Sequence, residues 1–143
     1  MNAGFEENFM ELQTDLISLC LELTEGKVDK IFAYASIENK STMFNAFFEK
    51  SGELYTINQL NIDRKTAMEF LRIGTKDLSK IKDLCKQNNM KVPTELKMYY
   101  NLQTGKYNAD YEYDEICSEK TGISAGEVFM QWYDEIRDSI RHA

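Results

Sequence analysis

The chain has 143 residues, 24 acidic against 17 basic for a formal net charge of −7, and 43% hydrophobic composition. This predicts a single globular domain over 1–143 and excludes the charge-rich, apolar-poor composition of a disordered chain. Cys20, Cys85 and Cys117, with His142 the single imidazole, supply neither a disulfide framework nor a zinc-ligand pattern.

Phe5, Phe9, Leu12, Leu16, Leu19 and Leu23 recur at helical spacing and predict an N-terminal helix that ends near Gly26. The stretches Val28 to Ile37, Met43 to Phe48 and Leu54 to Leu60 are rich in β-branched and aromatic residues and predict three strands. Glu38 to Ser41 and Ser51-Gly52 read as the two turns that join them, which makes the strands antiparallel neighbours. Asn61-Ile62-Asp63 reads as a helix entrance, followed by a short helix broken at Gly74 and a second one capped by Thr75 and stopped by Asn88-Asn89. Leu96 to Leu102 and Tyr107 to Tyr113 alternate about Thr104-Gly105 and predict a second hairpin. Ser124 and Glu127 stand in the capping-box relation and open a last helix with the stripe Phe129, Trp132, Tyr133, Ile136 and Ile140. The expected fold is α+β: a mostly antiparallel sheet of about five strands with N-terminal, central and C-terminal helices packed against one face.

Charge is segregated along the chain. Residues 1–26 carry six acidic residues and no basic one, residues 61–98 carry five acidic against nine basic, and residues 106–143 carry nine acidic against four basic. Acidic surfaces repel phosphate backbones, so no direct contact with nucleic acid is expected. The first twelve residues lack the basic region of a secretory signal, and no apolar run reaches membrane-spanning length. A cytoplasmic location away from membranes follows as the expectation.

The run Asn108-Ala109-Asp110-Tyr111-Glu112-Tyr113-Asp114-Glu115 concentrates the acidic character. Period two puts Asp110, Glu112 and Asp114 on one strand face and Tyr111 and Tyr113 on the other, with no basic residue between Lys106 and Lys120. Such a row reads as a solvated outer face, as a docking surface for a cationic partner that Glu115 extends, or as an oxygen-ligand site for a metal-dependent hydrolase. A flat strand spreads successive carboxylates apart, which disfavours the metal reading. Glu7, Glu11 and Asp15, four apart on the first helix, form a second acidic row that would add to a docking surface if coplanar with the first. Tyr99 and Tyr100 cannot both face inward on a regular strand, so Tyr99, with Tyr111, is a candidate apolar contact. His142 alone leaves no Ser/His or Cys/His pair, so binding without catalysis or cofactor is expected, and a generic protein-binding adaptor remains an alternative.

Three segments carry a family resemblance: Ile31-Phe32-Ala33-Tyr34-Ala35, Gly105-Lys106-Tyr107-Asn108-Ala109-Asp110-Tyr111-Glu112-Tyr113-Asp114, and Trp132-Tyr133. In that order they make the chain resemble, over nearly its whole length, the antitoxin YezG family of bacterial immunity proteins. Where family members often carry a Trp at the start of the first strand and another just before the fourth, this chain reads Lys27-Val28-Asp29 and Lys91-Val92-Pro93-Thr94. The resemblance implies a cytoplasmic antitoxin that binds and neutralises a cognate toxin domain, commonly a basic nuclease exported by a type VII secretion system. It implies no catalytic residue in this chain.

Overall fold

The computed structural model describes residues 3–38, 41–114, 116 and 121–141. Helix α1 spans Ala3–Thr24, and strands β1, β2 and β3 span Lys30–Glu38, Ser41–Lys50 and Glu53–Thr56. Helix α2 spans Arg64–Gln87, strands β4 and β5 span Glu95–Asn101 and Tyr107–Glu112, and helix α3 spans Ala125–Arg141. The strands form one sheet in the order β3-β2-β1-β4-β5. Every neighbouring pair is antiparallel: short hairpins join β1 to β2, β2 to β3 and β4 to β5, while β1 and β4 pair across the long connection that includes α2. The fold is therefore α+β, with a central five-stranded sheet and three helices around it. Among the described residues no helix is long and apolar enough to cross a membrane.

Local chemistry explains most boundaries. Beyond α1, Glu25 and Gly26 take left-handed φ values of 55° and 67°, and the Gly26 N–H returns to the Leu21 carbonyl at 3.0 Å. The Asp63 carboxylate caps α2 by accepting from the Thr66 N–H at 3.1 Å, and the Thr66 hydrogen bonds hold its pKa below the usual value. Asp29 ties two hairpins together: its carboxylate accepts from the Ser51 N–H at 2.9 Å and its carbonyl from the Leu102 N–H at 3.0 Å. The Ser124 hydroxyl accepts from the Glu127 N–H at 3.1 Å at the start of α3. Ser124→Ala should therefore lower stability by about 1 kcal/mol, read as a shift in the urea midpoint at unchanged slope.

Three expectations need correction. The stretch Leu54 to Leu60 is not one strand: β3 stops at Thr56 and Ile57–Leu60 forms a 3-10 turn. Gln59 Oε1 takes the Thr56 N–H at 2.9 Å and turns the chain out of the sheet. Gly74 does not break α2. It lies buried inside one continuous helix, where the Phe44 ring fills the space a side chain would take, and Thr75 donates its hydroxyl to the Leu71 carbonyl at 2.8 Å instead of capping. The turn expected at Glu38 to Ser41 includes Asn39 and Lys40, which lie outside the described residues, as do Cys117 and His142.

The third correction concerns the layers, because the helices do not share one face. Ile31, Ala33, Ala35 and Ile37 of β1, with Phe44, Ala46 and Phe48 of β2, pack under α1 and α2. The alternate residues Phe32, Tyr34 and Phe47 pack against Val128, Phe129, Trp132 and Tyr133 of α3 on the opposite face. All seven residues from Ile31 to Ile37 are consequently buried, as in a central strand covered on both sides. Cys20 and Cys85 are free thiols buried in the first of these layers, and burial pushes both thiols up in pKa.

Candidate docking surface

The hairpin that carries the acidic run is built by Asn101. Its side-chain oxygen accepts from the Gln103 and Thr104 N–H groups at 2.9 and 3.2 Å. Its backbone N–H bonds the Lys106 carbonyl at 2.9 Å, and Gly105 supplies the φ of 76° that the turn needs. Exposure then alternates strictly along β5. Tyr107, Ala109 and Tyr111 face the α1 layer, while Asn108, Asp110 and Glu112 are exposed on the α3 side. There α3 contacts β2 and β3, and among the described residues Asn108, Asp110 and Glu112 of β5 stay exposed.

Gln13 of α1 fixes this orientation. Its side chain is fully buried, and its Oε1 accepts from the Tyr107 hydroxyl at 2.5 Å and from the Tyr111 hydroxyl at 3.1 Å. Burial, with a smaller contribution from Tyr111, holds the Tyr107 hydroxyl well above the ordinary tyrosine pKa. Phe9 stands 5.7 Å from the Tyr111 ring. Tyr111 is therefore a structural residue beneath α1, on the face opposite to the carboxylates, and not a contact for a partner bound to them. Sequence periodicity placed Tyr111 and Tyr113 inward together, but Tyr113 lies past the end of β5 and is 41% exposed, and nothing in the sequence revealed that Gln13 is the buried acceptor of Tyr107 and Tyr111.

Asp110 and Glu112 remain as an exposed pair on one face, and the cross-strand register decides what surrounds them. Lys97 lies opposite Asp110, Glu95 opposite Glu112, and Tyr99 opposite Asn108. The Lys97 ammonium is drawn toward the Trp132 ring at 5.7 Å and toward Glu95 at 3.9 Å. Glu95 is itself buried and accepts from the Tyr34 hydroxyl at 2.7 Å. Among the described residues three carboxylates, Glu95, Asp110 and Glu112, thus lie around Lys97 on this half-face, with Lys106 exposed at its far end. Lys97 is the residue that sequence reasoning missed, because it lies thirteen positions from Asp110 and only strand pairing joins them.

The remaining candidates separate in space. Asp114 lies past the end of β5, where the Thr94 hydroxyl donates to its carbonyl at 2.6 Å, so it is exposed beside the row and not a member of it. Glu115 lies outside the described residues. Tyr99 faces the α3 side, half-buried, with its ring 5.3 Å from Phe32, while Tyr100 packs into the α1 layer. Both fit inward because the sheet is covered on both faces, which corrects the expectation that one of them must be left free. Glu7, Glu11 and Asp15 are exposed on α1. Glu11 and Asp15 line a groove whose opposite wall on α2 includes Lys80 and Asp83. The α1 row and the β5 row therefore flank opposite sides of the molecule and do not form one surface. Among the described residues no group of three His, Cys, Asp or Glu side chains converges as the ligands of a metal ion would. No protein-family model and no curated protein matches this chain.

Proposed function

We propose that this chain is a cytoplasmic immunity protein that binds a cognate toxin domain, a basic nuclease of the kind exported by type VII secretion, and that it acts by occupation and not by catalysis. The observation that carries the reading is the exposed β5 row on the α3-side face. Asp110 and Glu112 stand exposed there on a strand made rigid by β4 on one side and by the Gln13 clamp beneath. A nuclease attracts phosphate, so its active region is basic, and a rigid acidic face can cover it and exclude substrate. The net charge of −7 adds long-range steering toward such a partner. The family resemblance carried by Gly105 to Asp114 falls on this same hairpin.

The test is kinetic. Asp110→Lys combined with Glu112→Lys should slow association with the toxin domain by about ten-fold or more at low salt. The effect should largely vanish at 1 M salt, where the Debye length is about 3 Å. A folded double variant that associates at the parental rate and protects cells equally would move the interface off this face. Turnover of DNA or RNA by the purified parent, abolished by Asp110→Asn, would replace the binding reading with a catalytic one.

A further inference from the structure

We infer that two copies of this chain pair through β5 to form a continuous ten-stranded antiparallel sheet, with Ala109 of one copy opposite Ala109 of the other. The inference stands apart from the immunity reading and holds for whatever partner the acidic face meets.

Hydrogen-bond direction supplies the first argument. The Asn101 N–H reaches the Lys106 carbonyl at 2.9 Å and the Thr94 N–H reaches the Glu112 carbonyl at 2.8 Å, so the even-numbered backbone groups of this strand turn toward β4. Those of Tyr107, Ala109 and Tyr111 turn the other way, where no described strand lies beside β5. An unpaired row of this kind is a template for another strand. The opposite edge of the sheet differs: β3 is four residues long and runs straight into a 3-10 turn.

Charge then selects both the occupant and the register. Lys106 and Glu112 lie on the same face at the two ends of this segment, and neither has an ion-pair partner among the described residues. With Ala109 on the two-fold axis, Lys106 of each copy meets Glu112 of the other, Asp110 meets Asn108, and Tyr107 meets Tyr111. All three outward-turned residues of each strand then find partners. A register centred on Asp110 opposes that carboxylate to its own copy, which is destabilising. One centred on Asn108 carries Tyr111 past the strand onto Gly105, whose φ of 76° is not extended. The sequence of this edge is thus complementary to itself in the one register that uses all of it.

Met10 gives an independent sign. It is 42% exposed and follows Phe9, which reaches Tyr111. Helical spacing sets Met10 on the side of α1 away from Asn8, Leu12 and Asp15, the residues that line the groove to α2. An exposed apolar side chain is therefore available on the flank of α1 turned away from α2. A two-fold axis perpendicular to the sheet also keeps both α3-side faces on the same side of the assembly.

Sedimentation equilibrium or light scattering of the full chain over a concentration series at low salt tests the inference. A dimer mass is expected. Lys106→Glu alone and Glu112→Lys alone should each raise the dissociation constant by about ten-fold or more, since each replaces two opposite-charge pairs by two like-charge pairs. The double swap Lys106→Glu with Glu112→Lys should restore the parental value. Ala109→Pro removes an outward N–H and no bond to β4, so it should give a folded monomer. A parent that remains monomeric at every concentration overturns the inference. So does a dimer indifferent to these changes, or one that the double swap fails to rescue, because its interface then lies elsewhere. Loss of toxin binding in Asp110→Lys with the dimer intact would separate this result from the docking reading.

Discussion

Phe47→Ala should lower the folding stability by about 3–5 kcal/mol, the range for deleting a buried aromatic side chain. Phe47 is fully buried and is the centre of the α3-side layer. Its ring stacks on Phe32 at 4.7 Å and meets Trp132, Tyr133 and Phe129 edge-on at 5.0, 5.3 and 5.7 Å. Truncation removes contacts to both the central strand and α3 at once, and the cavity cannot close unless α3 shifts as a rigid body. Urea unfolding followed by Trp132 fluorescence reads the change directly, because the chain has one tryptophan and it sits in this layer. A loss below about 1 kcal/mol would mean that α3 is docked loosely and that the sheet is stabilised from the α1–α2 side alone.

Gly74→Ala is the second large effect, and its sign separates local propensity from packing. Within a helix, alanine is favoured over glycine by about 0.8–1.0 kcal/mol, so propensity by itself predicts a more stable protein. The position is buried, however, and an added Cβ would lie 2.6 Å from Phe44 Cε2 and 2.7 Å from Phe44 Cγ. Contact with Cγ, close to the root of the side chain, means that a small ring rotation cannot relieve the overlap. Phe44 is in turn held by Phe70 at 5.3 Å. Overpacking of this kind costs about 1–3 kcal/mol or more, which set against the propensity gain leaves a net destabilisation of up to about 2 kcal/mol. Gly74→Ala combined with Phe44→Leu should be less harmful than the sum of the two single changes. Additive losses, or a stabilised single variant, would show that α2 does not rest on β2 at this point.

The same pair of residues shows why part of the fold was legible and part was not. Nothing near Gly74 in sequence distinguishes a glycine that ends a helix from one that lets a ring approach it, and the decisive neighbour, Phe44, is thirty positions away. Helix α1, the capping box at Ser124, the hairpin turn at Gly105 and the alternation along β5 all depend on residues within a turn or two of one another, and each appears where periodicity predicted it. Covering both sheet faces depends instead on where α3 returns to the sheet. The apolar run Ile31 to Ile37 is compatible with that arrangement, yet it does not name the helix that lies over each face.

The candidate surface divides along the same line. The sequence by itself determined the acidic character of the chain, the placement of Asp110 and Glu112 on the strand face opposite to Tyr107 and Tyr111, and the order of helices and strands apart from the break expected at Gly74 and the turn after Thr56, because these follow from composition and from local repeat. Only the tertiary structure decided that Asp114 falls outside the row, that Lys97 lies across from Asp110, that Tyr111 is held by Gln13, and that the α1 carboxylates flank the other side of the molecule. The physical reason is that each of these depends on strand register or on helix docking. Those are settled by which apolar surfaces meet when the whole chain packs, and residues far apart in sequence carry no local mark of that meeting.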